Sequence, residues 1–420
     1  MSLGNLEKRN FKKVLTTLNS KTVNILYLSI FSIYIFCEIL LSSELVLIMN
    51  SSILSVAKYC LFIIFFMILI FNELKIYFSN NILSYNQLIF GILFLLGLLV
   101  FASSKNLHIM VLFTFMFGLS KCPFKSVLKT SLIAMSFTTM LVFLMAATGV
   151  LPNLTYYRGD SIRYSLGFGA STLSQAMIFF IFMAYFGLKG RKTSIFLILL
   201  FAIISIIVYK LTYARASLLL TFFAILIALL CKLKIFDTFF KKITNVRIFK
   251  RLFVLFPFIL LGGSIFLTYL LDIGNSFAVY LNGLLSTRLR LQLDAFNTYG
   301  LTIFGENFIT TVNGKYAGVD CSYLFLYFNY GVVATFILLL GYSSLISTTI
   351  KRKNLVVFCI LFIYFIHSFT EPYLIDFKYN PYSLLLGTFY FNFDKKIFNS
   401  FELYVLLGGK KIGKRITNVN

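Results

Sequence analysis

The sequence lacks the short motifs that mark most soluble enzymes. It has no G-x-x-x-x-G-K-[ST] phosphate loop, no H-E-x-x-H zinc motif, no G-x-S-x-G nucleophile motif and no D-x-D that would indicate a metal-bound nucleotide sugar. ATP-driven transport and metallohydrolase chemistry therefore lose their support. Only two histidines are present, which argues against a histidine-rich metal site. We expect neither a metal ion nor another cofactor.

Cysteine is sparse and shows no pattern. The six cysteines are scattered, mostly in or beside apolar runs, with no C-x-x-C pair and no zinc spacing, so we interpret them as small core residues. The N-terminus carries a basic stretch and then a long apolar run without a small-residue cleavage site. This predicts a retained first span rather than a removed signal peptide.

Apolar residues dominate the composition. Hydrophobic residues make up 59% of the chain and charged residues 12%, and the mean hydropathy is +0.90. Runs of about 17 to 25 apolar residues recur, the length that a helix needs to cross the hydrocarbon layer. We predict an all-α polytopic integral membrane protein, with one transmembrane domain over residues 1–420 and both termini cytoplasmic. About twelve transmembrane helices are predicted, at residues 22–41, 53–71, 86–101, 107–120, 127–147, 172–188, 194–209, 216–231, 252–271, 321–347, 355–371 and 381–393.

The formal net charge of +24 would suggest nucleic-acid binding in a soluble chain. The basic residues, however, fall in alternate loops. If those loops are cytoplasmic, roughly 28 of the 38 lysines and arginines lie inside, as the positive-inside rule requires. The charge therefore reflects membrane topology, and nucleic acid is not expected as a partner.

Two outward loops are longer than the others, at residues 148–171 and 272–320, the second between helices 9 and 10. Long loops in compact proteins are often functional. These two contain Arg158, Arg163, Arg288 and Arg290. Arginine presents a fixed fork of donors that suits phosphate or pyrophosphate and stays charged at physiological pH. The alternative for each arginine is a solvated loop charge.

The stretch STRLRLQLDAFNTYGLTIFG, Ser286 to Gly305, contains two of these arginines. As a helix, it places Arg290 one turn before Asp294, the spacing of an ordinary ion pair. Arg288 has no such partner at that spacing and is the better candidate for binding a ligand. Polar and apolar residues also alternate from Arg288 to Asp294, so a strand with both arginines on one face is the alternative.

Further candidates lie near the ends of the predicted spans. Arg215, five residues after Lys210, either snorkels to the lipid head groups or binds a lipid-linked phosphate. His367 and Glu371 are four residues apart, which puts them on one helix face. Glu371 is then a general base tuned by His367, or the two form a hydrogen-bonded pair that caps a helix before Pro372.

Two polar residues follow the longer loop. Asp320 and Tyr323 either position a substrate or begin the tenth helix, with Asp320 as its N-cap. His108 stands alone beside an apolar run, and we interpret it as an interfacial residue.

Several patches of the chain, from residue 163 to residue 387, resemble the polysaccharide polymerases and ligases of bacterial surface glycans, the Wzy-type O-antigen and capsule polymerases. The patches are RYSLGF at Arg163–Phe168, TYARASLLL at Thr212–Leu220, the Ser286–Gly305 stretch, DCSYLFLYFNYGVVATFILL at Asp320–Leu339, and FTEPYLIDFKYNPYSLLLG at Phe369–Gly387. Members of the family have an arginine that opens the long outer loop and a glycine-aromatic turn that closes its helical part, and Arg288 and Phe304-Gly305 match these positions.

Two positions depart from the family pattern. Many relatives follow the Gly-Phe of the first patch with a His-Pro-Asn-like sequence, whereas this chain has Gly169-Ala170-Ser171-Thr172. Ala214 precedes Arg215 where a serine is usual. These departures affect the residues that would contact sugar.

The resemblance implies inverting glycosyl transfer at the outer face of the bacterial cytoplasmic membrane, without a metal ion. A growing glycan on polyprenyl pyrophosphate passes to a sugar hydroxyl of a new lipid-linked repeat unit, arginines stabilise the leaving pyrophosphate, and a carboxylate accepts the hydroxyl proton.

The implied catalytic residues are Arg288, Glu371 and Asp320, with Asp294 as a further candidate base. The implied pyrophosphate- and glycan-binding residues are Arg163, Arg215, Arg158, Arg290 and Tyr323. The implied partners are a polyprenyl-pyrophosphate-linked oligosaccharide, membrane lipid, a flippase and a chain-length regulator.

Three alternatives stay open on the sequence. Ligases of this superfamily use a histidine in the long outer loop, and none lies between Asp272 and Asp320, which favours a polymerase. A flippase of lipid-linked oligosaccharides would show repeated halves and helices broken by glycine or proline, but this chain has five prolines and no visible repeat. The third alternative is a membrane partner without chemistry.

Overall fold

The structure is a computed structural model that describes residues 20–49, 51–80, 82–158, 161–308, 311–312, 315–316 and 318–391. The predicted cytoplasmic termini, with the basic clusters at residues 8–13 and 395–415, lie outside the described residues. So do residues 392 and 393, the end of the last predicted span.

The described part of the chain is nearly all helix. The helices are α1 (Ser20–Leu40), α2 (Leu45–Ile48), α3 (Ser51–Asn80), α4 (Tyr85–Ser104), α5 (His108–Leu119), α6 (Phe124–Ala147), α7 (Ser171–Lys189), α8 (Ile195–Thr212), α9 (Arg215–Leu230), α10 (Lys234–Asn245), α11 (Arg247–Asp272), α12 (Ser276–Leu284), α13 (Arg288–Tyr299), α14 (Ser322–Lys351), α15 (Leu355–His367) and α16 (Gly387–Tyr390). Short 3₁₀ helices cover Gly190–Lys192 and Pro381–Leu386. Two antiparallel hairpins complete the fold, β1 (Thr155–Arg158) with β2 (Ser161–Tyr164) and β3 (Thr311–Val312) with β4 (Lys315–Tyr316).

Eight of the described helices are long and apolar enough to cross a membrane: α1, α3, α4, α6, α7, α8, α11 and α14. A ninth crossing is possible if α9 and α10, which are bent by 98° relative to each other, form one broken span. Helices α5 and α15 are apolar but shorter. Each of the first eleven predicted ranges overlaps a helix. The prediction of a regular helix from residue 381 is wrong, because Asn380 and Pro381 start a 3₁₀ turn there instead.

Burial separates central from peripheral helices. In the most apolar stretch of α7, 83% of the residues are buried, whereas the corresponding share is 17% in α3 and in α11. Helix α7 packs against α6, α8, α9 and α15. Apolar side chains are stable in contact with lipid, so the peripheral helices can expose theirs to the hydrocarbon layer. Helix α7 is therefore the most buried of the eight long helices.

Helix α14 is broken at Gly331, where φ is +79° and ψ is 172°. The free backbone groups at the break bond to the end of the loop at residues 272–320. The amide of Val332 donates to the carbonyl of Thr302 at 3.0 Å, and that of Glu306 donates to Phe328 at 3.0 Å. A Cβ at Gly331 would collide with the carbonyl oxygen of Ile303. Only glycine fits this conformation and this close approach.

The two long loops contain regular structure of their own. Residues 148–171 contain the β1–β2 hairpin, in which Tyr156 pairs with Arg163. Residues 272–320 contain α12, α13 and the β3–β4 hairpin. Because Arg288–Tyr299 is α-helical, the helical interpretation of this stretch is confirmed and the strand alternative is wrong.

Candidate functional site

Arg288 joins two carboxylates that come from distant parts of the chain. Its Nε donates to Asp320 Oδ2 at 2.8 Å, and its Nη2 donates to Glu371 Oε1 at 2.9 Å. The side chains of Arg288, Asp320 and Glu371 are only 14%, 19% and 6% exposed. The expectation that Arg288 lacks a carboxylate partner holds only within its own helix, because tertiary contacts supply two.

Residues around Ser322 hold this cluster in place. The amide of Ser322 donates to the carbonyl of Ser368 at 2.8 Å, and its hydroxyl donates to the carbonyl of Glu371 at 2.5 Å. The same hydroxyl accepts the amide of Leu374 at 3.1 Å. These bonds fix the start of α14 against the segment after α15. Asp320 is not the N-cap of α14, because Cys321 holds that position and the carboxylate of Asp320 binds Arg288.

The electrostatics of the cluster suit proton transfer. Burial raises the pKa of Glu371 to about 7; Arg288 opposes this rise and Asp320 adds to it. Burial lowers the pKa of Arg288, but Glu371 and Asp320 outweigh that effect and raise it above its ordinary value. Arg288 therefore stays charged, while Glu371 changes its charge near neutral pH. A carboxylate with such a pKa can act as a general base.

His367 lies next to the cluster but does not bond to Glu371 through its side chain. Its buried ring stacks on Phe179 of α7 with centroids 4.4 Å apart, and neither ring nitrogen has a hydrogen-bond partner in the described part of the structure. The contact between the two residues is through the backbone, where the Glu371 amide donates to the His367 carbonyl at 3.0 Å. The predicted side-chain pair is therefore wrong, because α15 ends at His367.

Arg163 bonds to the end of α8, close in the sequence to Arg215. Arg163 Nε donates to the carbonyl of Thr212, the last residue of α8, at 2.8 Å. Arg215 follows three residues later as the first residue of α9, and its side chain is exposed, as is that of Lys210. Arg158 ends the paired strand β1. We name the corner formed by Arg163, Thr212 and Arg215 the arginine corner.

Helix α7 connects the arginine corner with the Arg288 cluster. Near its start, the hydroxyl of Ser174 donates to the carbonyl of Ser165 in the residues that follow β2. Five residues later, Phe179 stacks on His367. Five residues of α-helix rise about 7.5 Å. Ser165, two residues after Arg163, and His367, four residues before Glu371, thus both contact the first half of α7.

Arg290 and Tyr323 lie apart from the cluster. Arg290 Nε bonds to Asp294 Oδ1 at 3.1 Å, with both side chains more than half exposed, so the predicted ion pair is confirmed. The hydroxyl of Tyr323 donates to the carbonyl of Phe365 at 2.9 Å, and the residue is fully buried. These contacts give both residues structural partners.

A second polar network was not predicted. Glu38 of α1 accepts from Lys58 of α3 and from Lys378, each at 3.0 Å. Asp376 lies 3.4 Å from Lys378 and 3.7 Å from His108. His108 is therefore part of a network and not simply interfacial. The missed signal was Glu38, since a carboxylate within an apolar span is a candidate functional residue by its cost alone.

This network borders a cavity of about 280 Å³. Its wall contains Tyr34, Glu38, Lys58, Tyr59, Asn106, Leu107, His108, Val111, Phe325, Tyr330, Pro372, Tyr373, Ile375 and Asp376. Pro372 and Tyr373 directly follow Glu371 in the chain. Two residues of the cavity wall therefore directly follow the Arg288 cluster in the sequence.

Comparisons of this chain with known protein families, with curated proteins and with solved structures give no match.

Proposed function

We propose that this protein polymerises lipid-linked oligosaccharide repeat units in the biosynthesis of a bacterial surface polysaccharide, such as a capsule, O-antigen or exopolysaccharide. The observation that carries the proposal is the buried set of Arg288, Asp320 and Glu371. Burial raises the pKa of its carboxylate Glu371 to about 7, and the next two residues of the chain, Pro372 and Tyr373, line a polar cavity. The resemblance of the patches around Arg163, Arg215 and Arg288 to polysaccharide polymerases supports the same reaction.

In the proposed reaction, a hydroxyl oxygen of the acceptor sugar attacks the anomeric carbon of the donor chain. The new glycosidic bond forms as the bond from that carbon to the pyrophosphate oxygen breaks, and the pyrophosphate leaves with the bonding electrons. Glu371 takes the proton of the hydroxyl. Asp320 accepts from Nε of Arg288 and so fixes the guanidinium, whose Nη2 in turn positions the carboxylate of Glu371.

Positive charge near the leaving group stabilises the transition state. The arginine corner offers an exposed arginine, Arg215, at the end of two apolar helices, where a lipid-linked pyrophosphate would lie. Arg163 is held there by its bond to Thr212. In Arg288, two of the five N–H donors of an arginine bond to carboxylates. The remaining donors suit a phosphate oxygen.

The proposed topology has twelve crossings with both termini cytoplasmic, in the bacterial cytoplasmic membrane. Eight long helices supply most of them; α5, α9, α15 and the segment at residues 381–391 supply the others. The β1–β2 hairpin and α12–α13 then face outward, and α10 lies along the cytoplasmic surface. The proposed partners are the polyprenyl-pyrophosphate-linked oligosaccharide, membrane lipid, a flippase that delivers it and a chain-length regulator.

One observation favours a second candidate function. The break of α14 at Gly331 is a feature of transporters, in which discontinuous helices form the substrate site. A flippase for the same lipid-linked oligosaccharide is therefore the competing proposal. A ligase would use the same donor with another acceptor.

Reconstitution into liposomes with a purified lipid-linked repeat unit tests these proposals. A polymerase gives a ladder of longer glycans on lipid. A flippase moves the lipid-linked unit between leaflets and leaves its length unchanged, whereas a ligase extends only an added acceptor. Unextended substrate with protein that is folded and monodisperse overturns the polymerase proposal.

A further inference from the structure

The cavity that Pro372 and Tyr373 border has nearly balanced charge. Its network pairs two carboxylates, Glu38 and Asp376, with two ammonium groups, Lys58 and Lys378, and His108 adds a basic ring. A pyrophosphate site needs an excess of positive charge that is free to bind. In the described part of the chain, no set of three His, Cys, Asp or Glu side chains could hold a metal ion. The cavity therefore suits an uncharged polar ligand.

The wall combines hydrogen-bonding groups with aromatic rings. Glu38 and Asp376 offer acceptors, Lys58 offers donors, and Asn106 adds an amide. The rings of Tyr59 and Tyr373 supply flat apolar faces, and Tyr59 is 41% exposed. A pyranose has the matching surface, since its rim carries hydroxyls and its faces carry C–H groups. Aromatic apolar walls with a few placed polar groups are typical of ligand sites.

Size and position select one part of the proposed substrate. A volume of about 280 Å³ is below the roughly 300–1,000 Å³ of pockets for drug-sized ligands, so it fits one sugar ring better than a chain. The cavity lies among α1, α3 and α5, whereas the arginine corner lies among β2, α8 and α9. Tyr373 of the cavity wall contacts Phe180 of α7, with ring centroids 5.6 Å apart, and Glu371 precedes Tyr373 by two residues.

We propose that this cavity binds the acceptor sugar, the uncharged pyranose whose hydroxyl gives its proton to Glu371. The inference rests on the proposed glycosyl transfer and adds which part of the substrate occupies which side. It assigns the network of Glu38, Lys58, His108, Asp376 and Lys378 to holding the walls of a sugar site rather than to proton transfer.

The absence of tryptophan from the chain allows a direct test. Tyr59→Trp places a single tryptophan in the cavity wall. Tyr77→Trp places one on the same helix, α3, at a residue of similar exposure, 39%, that does not border the cavity. Both full-length proteins are titrated with the repeat-unit oligosaccharide after its lipid pyrophosphate has been removed, and separately with inorganic pyrophosphate.

We expect a saturable change in tryptophan emission with the oligosaccharide in Tyr59→Trp and none in Tyr77→Trp. Adding Leu107→Phe, which narrows the cavity at a partly exposed position, should weaken that binding at least about tenfold.

Constant emission in a Tyr59→Trp protein that still extends lipid-linked units overturns this inference and leaves the polymerase proposal intact. A response to pyrophosphate alone also overturns it, since the cavity is then an anion site. A saturable sugar response in a protein that extends nothing keeps the sugar site and removes the polymerase.

Discussion

Arg288 and Glu371 are 83 residues apart in the sequence, and the guanidinium of one donates to the carboxylate of the other at 2.9 Å. The same guanidinium binds Asp320 at 2.8 Å. This double contact needs the planar fork of an arginine, because the ammonium of lysine is a point charge on a flexible stem. The geometry leads to a pair of matched substitutions.

Arg288→Lys is expected to lower polymerisation by about 10²-fold or more, as the loss of a positioned donor at a reacting centre does. Arg290→Lys, two residues along the same helix, should leave the rate near normal because its pair with Asp294 is exposed. The measurement is the initial rate of glycan extension in liposomes. Equal rates for the two variants would remove Arg288 from the site.

Glu371 sets the expected pH dependence. Its pKa is raised to about 7, and a general base works only when it is unprotonated. The rate should therefore rise about tenfold per pH unit well below pH 7 and level off above it. Glu371→Gln should abolish this rise and most of the activity, whereas Asp294→Asn, at an exposed carboxylate, should keep both. A pH–rate profile of Glu371→Gln that matches the unmodified protein would contradict this role.

Gly331 is expected to be a requirement of the fold. Gly331→Ala forces an L side chain into a conformation that is almost confined to glycine, at a cost on the order of 1–3 kcal/mol, and its Cβ meets Ile303. Gly262→Ala on α11 is the control, since no atom lies within 4 Å of the added Cβ. Thermal unfolding in detergent should show a lower midpoint for Gly331→Ala alone. An unchanged midpoint would mean that the loop at residues 302–306 moves away from the added Cβ without a loss of stability.

The proposed orientation can be checked by labelling with a membrane-impermeant maleimide. Tyr157→Cys in the β1–β2 hairpin is at a position 76% exposed, and Ile235→Cys on α10 is at one 82% exposed. With the exposed Cys60 replaced by serine, Tyr157→Cys should be labelled on intact cells and Ile235→Cys only after permeabilisation. The reverse pattern would place the arginine corner in the cytoplasm and remove the outer-face reaction.

The arginine corner predicts a change in substrate affinity. Arg215→Gln should raise the KM for the lipid-linked unit, and added salt should weaken the remaining binding less than it weakens that of the unmodified protein. Arg251→Gln, an exposed arginine on the first turns of α11, is the control and should change neither property. An unchanged KM for Arg215→Gln would assign that side chain to the lipid head groups.

Local rules decided what the sequence could predict. Apolar runs located the helices because a span needs a fixed length of apolar chain. The 3.6-residue period predicted the Arg290–Asp294 pair for the helical interpretation of this stretch, but the alternation from Arg288 to Asp294 left a strand open until the structure showed a helix. The apolar run at residues 381–393 misled this logic, because length and hydropathy do not distinguish a regular helix from a buried 3₁₀ turn.

Tertiary structure alone decided the candidate site. The contacts of Arg288 with Asp320 and Glu371, and of Glu38 with Lys378, join residues on separate elements, and no local period encodes such distances. Burial, which moves the pKa of Glu371 to about 7, is also a property of the packed bundle. The sequence by itself determined a helical membrane protein and its candidate charges; folding determined which of those charges meet, because only packing brings distant side chains out of water together.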